Sequence, residues 1–195
     1  MPDGIVAVPP GESGIWRVEK FIVDEDHSKM DRIVSKDGRY TPPGTYTKLM
    51  RGGTLVMSDT PDEMGDHWYF VHVASGRVLL NGLGLGMVLK KLLEKDDVEH
   101  VDVVELSEEV IALVGPTYQD DPRVHIHHGD ALIFKFPAGA TWDYVWNDIW
   151  DCLCLDNLPE MHRLHRRYGR RAGWIGSWGR GYLELVRERE KRERW

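Results

Sequence analysis

With 195 residues, 42% of them hydrophobic, the chain is long and apolar enough for one domain, or one domain with an appendage, around a real core, which excludes a disordered tail. No apolar run approaches the roughly 20 residues that span a bilayer, and Met-Pro-Asp-Gly-Ile-Val at the start lacks a signal peptide's basic and apolar regions, so a soluble, cytoplasmic protein without a membrane partner is expected. The net charge of −7 hides an asymmetry: eleven Lys and Arg face five Glu from Glu160 to Trp195, while the first 159 residues carry 14 basic and 27 acidic side chains. That acidic body argues against nonspecific nucleic-acid binding over the whole surface, and the basic end reads first as a solvated helix, with an anionic partner such as nucleic acid as the alternative.

Residues 1 to 14, rich in Pro and Gly, read as an irregular lead-in. Short β-type runs follow at Trp16 to Val23, Met30 to Ser35, Tyr46 to Arg51 and Thr54 to Ser58, separated by Asp37-Gly38, Pro42-Pro43-Gly44 and Gly52-Gly53. They predict a small antiparallel appendage that covers an edge of the main domain or closes over a ligand. Thr60-Pro61-Asp62-Glu63 has the spacing of a capping box and predicts a helix to about His72. These elements make residues 1 to 75 an N-terminal β-rich unit with a short helix, and 76 to 195 the main domain.

Val78 to Met87, Val-Leu-Leu-Asn-Gly-Leu-Gly-Leu-Gly-Met, is an apolar run that breaks into three glycines at alternate positions. It predicts a buried strand, a turn at Gly82, Gly84 and Gly86 whose backbone can approach a ligand, and a helix from Met87 to Lys95. Strands are predicted at His100 to Val104, Val124 to His128, Trp142 to Asn147 and Ala172 to Trp178. Helices are predicted from Ser107 to Val114, from Asn157 to Tyr168 and from Tyr182 to Arg194. Alternating strands and helices demand a parallel sheet covered on both faces, with ligands outside the carboxyl ends of the strands. Gly82, Glu105, Asp130 and Asp148 all fall at those ends, so four strands aim chemistry at one rim.

Glu105 lies at the end of the second strand, where a carboxylate can accept both hydroxyls of a ribose. Asp130, followed by Ala131, is placed either to meet the amine of a base or to cap a short helix. Met87 occupies the place of the last glycine of a dinucleotide fingerprint, which tilts the reading away from NAD. Cys152 and Cys154 form no zinc or disulfide pattern and read as ordinary thiols, and His125, His127 and His128 lack the acidic partner a metal site needs. No metal is expected.

Four segments in order, Asn81-Gly-Leu-Gly-Leu-Gly86, Val101-Asp-Val-Val-Glu-Leu-Ser-Glu-Glu-Val110, Asp121-Pro-Arg-Val-His-Ile-His-His-Gly-Asp-Ala131 and Trp142-Asp-Tyr-Val-Trp-Asn-Asp-Ile-Trp-Asp151, resemble Rossmann-like S-adenosylmethionine-dependent methyltransferases, and within them the spermidine synthase branch. The resemblance covers roughly residues 54 to 151. It implies a doubly wound α/β sheet of about five strands, shortened at its C-terminal side, with S-adenosylmethionine bound by Asn81, Gly82, Gly84, Gly86, Glu105, Leu106, Asp130 and Ala131. Asp148 and Asp151 match the Asp-x-x-Asp segment of spermidine synthases, whose first aspartate serves the amine nucleophile, and are the expected catalytic pair. Leu85 stands where polyamine enzymes carry an aspartate, and Asp66-His67-Trp68-Tyr69 departs from their Tyr-His-Glu segment. Methyl transfer to an unidentified acceptor, such as an amine, is therefore the leading expectation. Aminopropyl transfer and a noncatalytic binding or scaffold role are the alternatives, and a homodimer is the assembly that the branch implies.

A sulfonium carbon is already electrophilic, so transfer mainly needs a nucleophile held at about 3 to 3.5 Å, a positioning effect of roughly 7 to 11 kcal/mol. An amine must be neutral to attack. With an ordinary pKa of about 4, Asp148 would be a weak base, so it is expected either to orient the amine or to have its pKa raised by desolvation.

Overall fold

A computed structural model describes residues 4–35 and 40–193. The fold is α/β. Four antiparallel strands form a small sheet in the order β1 (Gly11–Ser13), β2 (Trp16–Val23), β3 (Gly44–Arg51), β4 (Thr54–Ser58). The main sheet is parallel and contains β5 (Gly76–Asn81), β6 (Val98–Glu105), β7 (Val124–His128), β8 (Trp142–Asn147) and β9 (Ala172–Ser177). Their order is β7-β6-β5-β8-β9, so the winding reverses between β5 and β8. That is where an open parallel sheet leaves a crevice at its carboxyl ends.

Two early expectations fail. Gly11–Ser13, within the predicted irregular lead-in, is a strand paired with Trp16 to Val18. Met30 to Ser35, predicted as a strand, belongs to helix α1 (Glu25–Val34). Asp24 caps this helix by accepting from the His27 N–H at 2.8 Å, and Lys29 pairs with Glu25 one turn back. Met30, Ile33 and Val34 are exposed, at helical rather than alternating spacing. The Asp37-Gly38 turn and Arg194, the predicted end of the last helix, lie outside the described residues.

The remaining helices are α2 (Pro61–Val73), α3 (Met87–Leu93), α4 (Glu108–Val114), α5 (Leu158–Tyr168) and α6 (Arg180–Glu193). Helix α2 starts where predicted, but the capping box does not form. The Thr60 side chain makes no cap bond, and Glu63 reaches back to Ser58 instead, accepting from its N–H at 2.8 Å and its hydroxyl at 2.9 Å. Ser107 does cap α4, accepting from the Val110 N–H. No helix among the described residues is long and apolar enough to cross a membrane.

One buried cluster joins the two sheets. Val18 and Leu49 of the small sheet, Met64 and Phe70 of α2, and Val78 and Leu80 of β5 all belong to it. Asp59, fully buried, ties the N-terminal segment in place by accepting from the N–H groups of Val6 and Thr47. The small sheet is thereby fixed against the rim of the large one.

Candidate active site

A cavity of about 460 Å³ opens at the carboxyl ends of the parallel strands. Its floor is the turn after β5. Gly82, Gly84 and Gly86 all have positive φ, at 103°, 51° and 75°, a region costly for any side chain. Close packing also requires all three. A Cβ on Gly82 would strike the Asp148 carbonyl, one on Gly84 the Met57 sulfur, and one on Gly86 the Tyr118 ring. The predicted reason for these glycines was approach to a ligand, but in the structure their bare backbone first admits other parts of the chain. Gly82 and Gly84 line the cavity, whereas Gly86 is buried behind it as the N-cap of α3.

On the β6 and β7 side stand Glu105, Leu106, Asp130 and Ala131. Glu105 accepts from the N–H groups of Leu83 at 2.8 Å and Ser107 at 2.9 Å, which fixes its carboxylate across the mouth of the glycine turn. Leu106 is exposed at the rim, and its carbonyl meets His128 Nε2 at 3.0 Å. Asp130 accepts from the Leu132 N–H at 2.8 Å, so the capping geometry forms while the residue still faces the cavity. Ala131 is buried beneath it.

Asn81 is fully buried and does not line the cavity. Its Nδ2 donates to Asn147 Oδ1 at 2.7 Å, and Asn147 Nδ2 donates to the Gly176 carbonyl at 2.7 Å and to Ser177 Oγ at 3.2 Å. The last residues of β5, β8 and β9 thus form one polar row under the rim. The Asn81 carbonyl also accepts from the Asp148 N–H at 2.8 Å, so this row carries Asp148.

On the β8 side the cavity holds Asp148 and Asp151 from the loop after β8, and Glu63, Asp66 and His67 from α2. His67 Nε2 lies 3.7 Å from Asp148 Oδ2. Burial raises the Asp148 carboxyl above its usual range; His67 opposes the shift and the Asp66 charge adds to it. Its side chain keeps 26% exposure, toward the cavity. Glu63 is pushed up to about 7, first by burial and then by the charges of Asp148 and Asp66, against its two hydrogen bonds from Ser58. The sequence left His67 and Glu63 without a site role, although their four-residue helical separation puts both on one face of α2. Two buried nitrogens on lining side chains, His67 Nδ1 and Trp146 Nε1, have no hydrogen-bond partner.

Asp151, half-exposed, forms an ion pair with Arg51 of β3. The Arg51 guanidinium stacks 5.5 Å from the ring of Trp16, its register partner on β2. Glu160 is the seventh carboxylate of the lining and accepts from Trp150 Nε1 at 2.8 Å. Seven carboxylates against one arginine and one histidine suit a ligand that carries positive charge.

Contrary to the expectation from sequence, His127 and His128 have acidic partners, Asp102 at 2.7 Å and Glu108 at 3.2 Å. His127 and His100 each contact the buried Asp102 carboxylate, at 2.7 and 2.9 Å, and Trp142 Nε1 donates to it at 2.8 Å. Among the described residues no group of three or more His, Cys, Asp or Glu is arranged to hold a metal.

No family model matches the chain. It is 30% identical over 149 residues to a polyamine aminopropyltransferase of Lachnospira eligens, over 69% of this chain and 50% of that one. It is 28% identical over 150 residues to spermidine synthase 2 of Datura stramonium, over 70% of this chain and 45% of that one. The chain spans about half the length of these curated relatives. Among solved structures, spermidine synthase from Thermotoga maritima aligns at 19% identity with a TM-score of 0.49, over 83% of this chain and 53% of that one.

Proposed function

We propose that this chain is a transferase that moves an aminopropyl group from decarboxylated S-adenosylmethionine to an amine. The observation that carries the reading is the acid-rich cavity, in which Glu63, Asp66 and His67 stand near Asp148. Similarity to a polyamine aminopropyltransferase and to a spermidine synthase supports it. The donor supplies an electrophilic carbon on a sulfonium. Methyl transfer from S-adenosylmethionine would use the same sulfonium, but that donor brings a carboxylate into a cavity already lined by seven. The decarboxylated donor keeps the ammonium that both donors carry and lacks that carboxylate.

The residues divide the work along the sheet. Glu105, held by two backbone N–H groups, fits the ribose hydroxyls, and Asp130 with Ala131 fits the base. Across the glycine turn, Asp148 orients the acceptor nitrogen and takes its proton, a role suited to a carboxyl raised by burial. The nitrogen lone pair forms the new C–N bond as the C–S bond breaks, and the bonding pair leaves on sulfur as a neutral thioether. Asp66 and His67 set how readily Asp148 accepts the proton.

Mass spectrometry of products from decarboxylated S-adenosylmethionine and a panel of amines tests the reading. The aminopropylated amine is expected, and Asp148→Asn should lower turnover by about a hundredfold or more while donor binding persists. Methylated product from S-adenosylmethionine, with none from the decarboxylated donor, would establish methyl transfer instead. Donor binding without turnover on any amine would mark a noncatalytic binder.

A further inference from the structure

The cavity's two ends differ in how their carboxylates are compensated. Over β6 and β7, Glu105 and Asp130 are held by backbone N–H groups, which leaves their negative charge in place. At the β8 end, Asp148 lies beside His67, and Asp151, three residues further along the same loop, carries a guanidinium from the other sheet. Arg51 is the one arginine among the described lining residues. It is not a loose surface side chain, because the Trp16 ring backs the guanidinium and cross-strand pairing of Trp16 with Arg51 fixes that stacking. We infer that Arg51 is a specificity-determining residue: by neutralising Asp151 it makes the acceptor end of the cavity selective for an amine with a single ammonium over a diamine.

The inference rests on the aminopropyl-transfer reading for the identity of the acceptor, but its physical basis is separate. On this inference the acceptor chain runs from Asp148 along the loop to Asp151, rather than toward Glu63, Asp66 or Glu160, the other carboxylates of this end. With Asp151 uncompensated, a second ammonium would find a carboxylate there. With Arg51 in place it meets a fixed positive charge whose own partner is already engaged. An uncharged alkyl tail meets the Trp16 ring and the aliphatic stem of Arg51 instead.

The test compares 1-aminobutane with 1,4-diaminobutane, by calorimetric titration and by product formation with decarboxylated S-adenosylmethionine. The wild type should bind and use the monoamine at least as well as the diamine. Arg51→Gln should shift the ratio toward the diamine by about fivefold, the size expected of one half-exposed ion pair. Arg51→Lys should keep the wild-type ratio, and Arg51→Gln with Asp151→Asn should abolish the gain. An unchanged ratio in Arg51→Gln, a gain that survives the double substitution, or no binding of either amine to any variant overturns the inference. Failure of the transfer reading has a different signature: no aminopropylated product from any amine, while the binding ratios still respond to Arg51.

Discussion

Glu63 sits where three demands meet. Its carboxylate holds Ser58 by two hydrogen bonds, closes the cavity beside α2, and shares a small volume with the charges of Asp148 and Asp66. In the folded chain its pKa is about 7, well above the ordinary glutamate value near 4.5. The native state therefore binds the proton more tightly than the unfolded state. The stability this contributes is fully present below about pH 4.5 and is lost as pH rises through 7. Glu63→Gln, which keeps an acceptor for Ser58 and carries no charge, should make the protein more stable than wild type at pH 8, by about 1 to 3 kcal/mol. Denaturant titrations at pH 5 and pH 8 check this, and a difference that fails to shrink toward pH 5 would refute the linkage. His165 titrates in the opposite sense. Burial, then the positive charges of Arg180 and His162, lower it to about 4 despite Glu184, so its neutral form accepts no proton until well below the ordinary histidine range.

The turn from β5 into α3 organises the site because its missing side chains let two other segments come close. Gly82 admits the backbone of Asp148, and Gly84 admits Met57, whose sulfur accepts the Leu85 N–H at 3.2 Å. Gly82→Ala would combine a strained φ of 103° with a clash against the Asp148 carbonyl. It should cost about 1 to 3 kcal/mol of stability and reduce turnover beyond what lost stability explains, measured by denaturation beside the product assay. This element shows what local sequence reveals. The strand, the three glycines and the helix were legible from an apolar run broken at alternate positions, and Glu105, Asp130 and Asp148 were legible as strand ends. The partners of the glycines were not, since Met57 and Tyr118 reach them from elements that no local pattern links to the turn. Arg51 and Asp151 are 100 residues apart and meet only through the packing of two sheets. Thr60 and Glu63 had capping-box spacing, yet Ser58 offered Glu63 two donors and outcompeted the helix end. Met30, Ile33 and Val34 have helical spacing, which the β-branched pair Ile33-Val34 masked, and the Asp24 cap marks where that helix starts.

Across the whole molecule, one buried cluster contains residues of both sheets, so the two are expected to unfold together. Met64, fully buried in α2, lies in the cluster that joins Val18 and Leu49 to Val78 and Leu80. Met64→Ala should cost about 2 to 5 kcal/mol, and hydrogen exchange should show protection falling in β2 and β5 together. Loss confined to one sheet would mean that they fold separately. The cavity adds a constraint in time. Its lining runs from Trp16 to Trp178, with the loop after β8, Glu160 and Trp178 following the glycine turn in the chain. A ribosome adding about 5 to 20 residues per second completes the set of lining residues only when Trp178 has emerged. A ligand that recognises only the finished cavity would slow unfolding of the mature chain without hastening its formation.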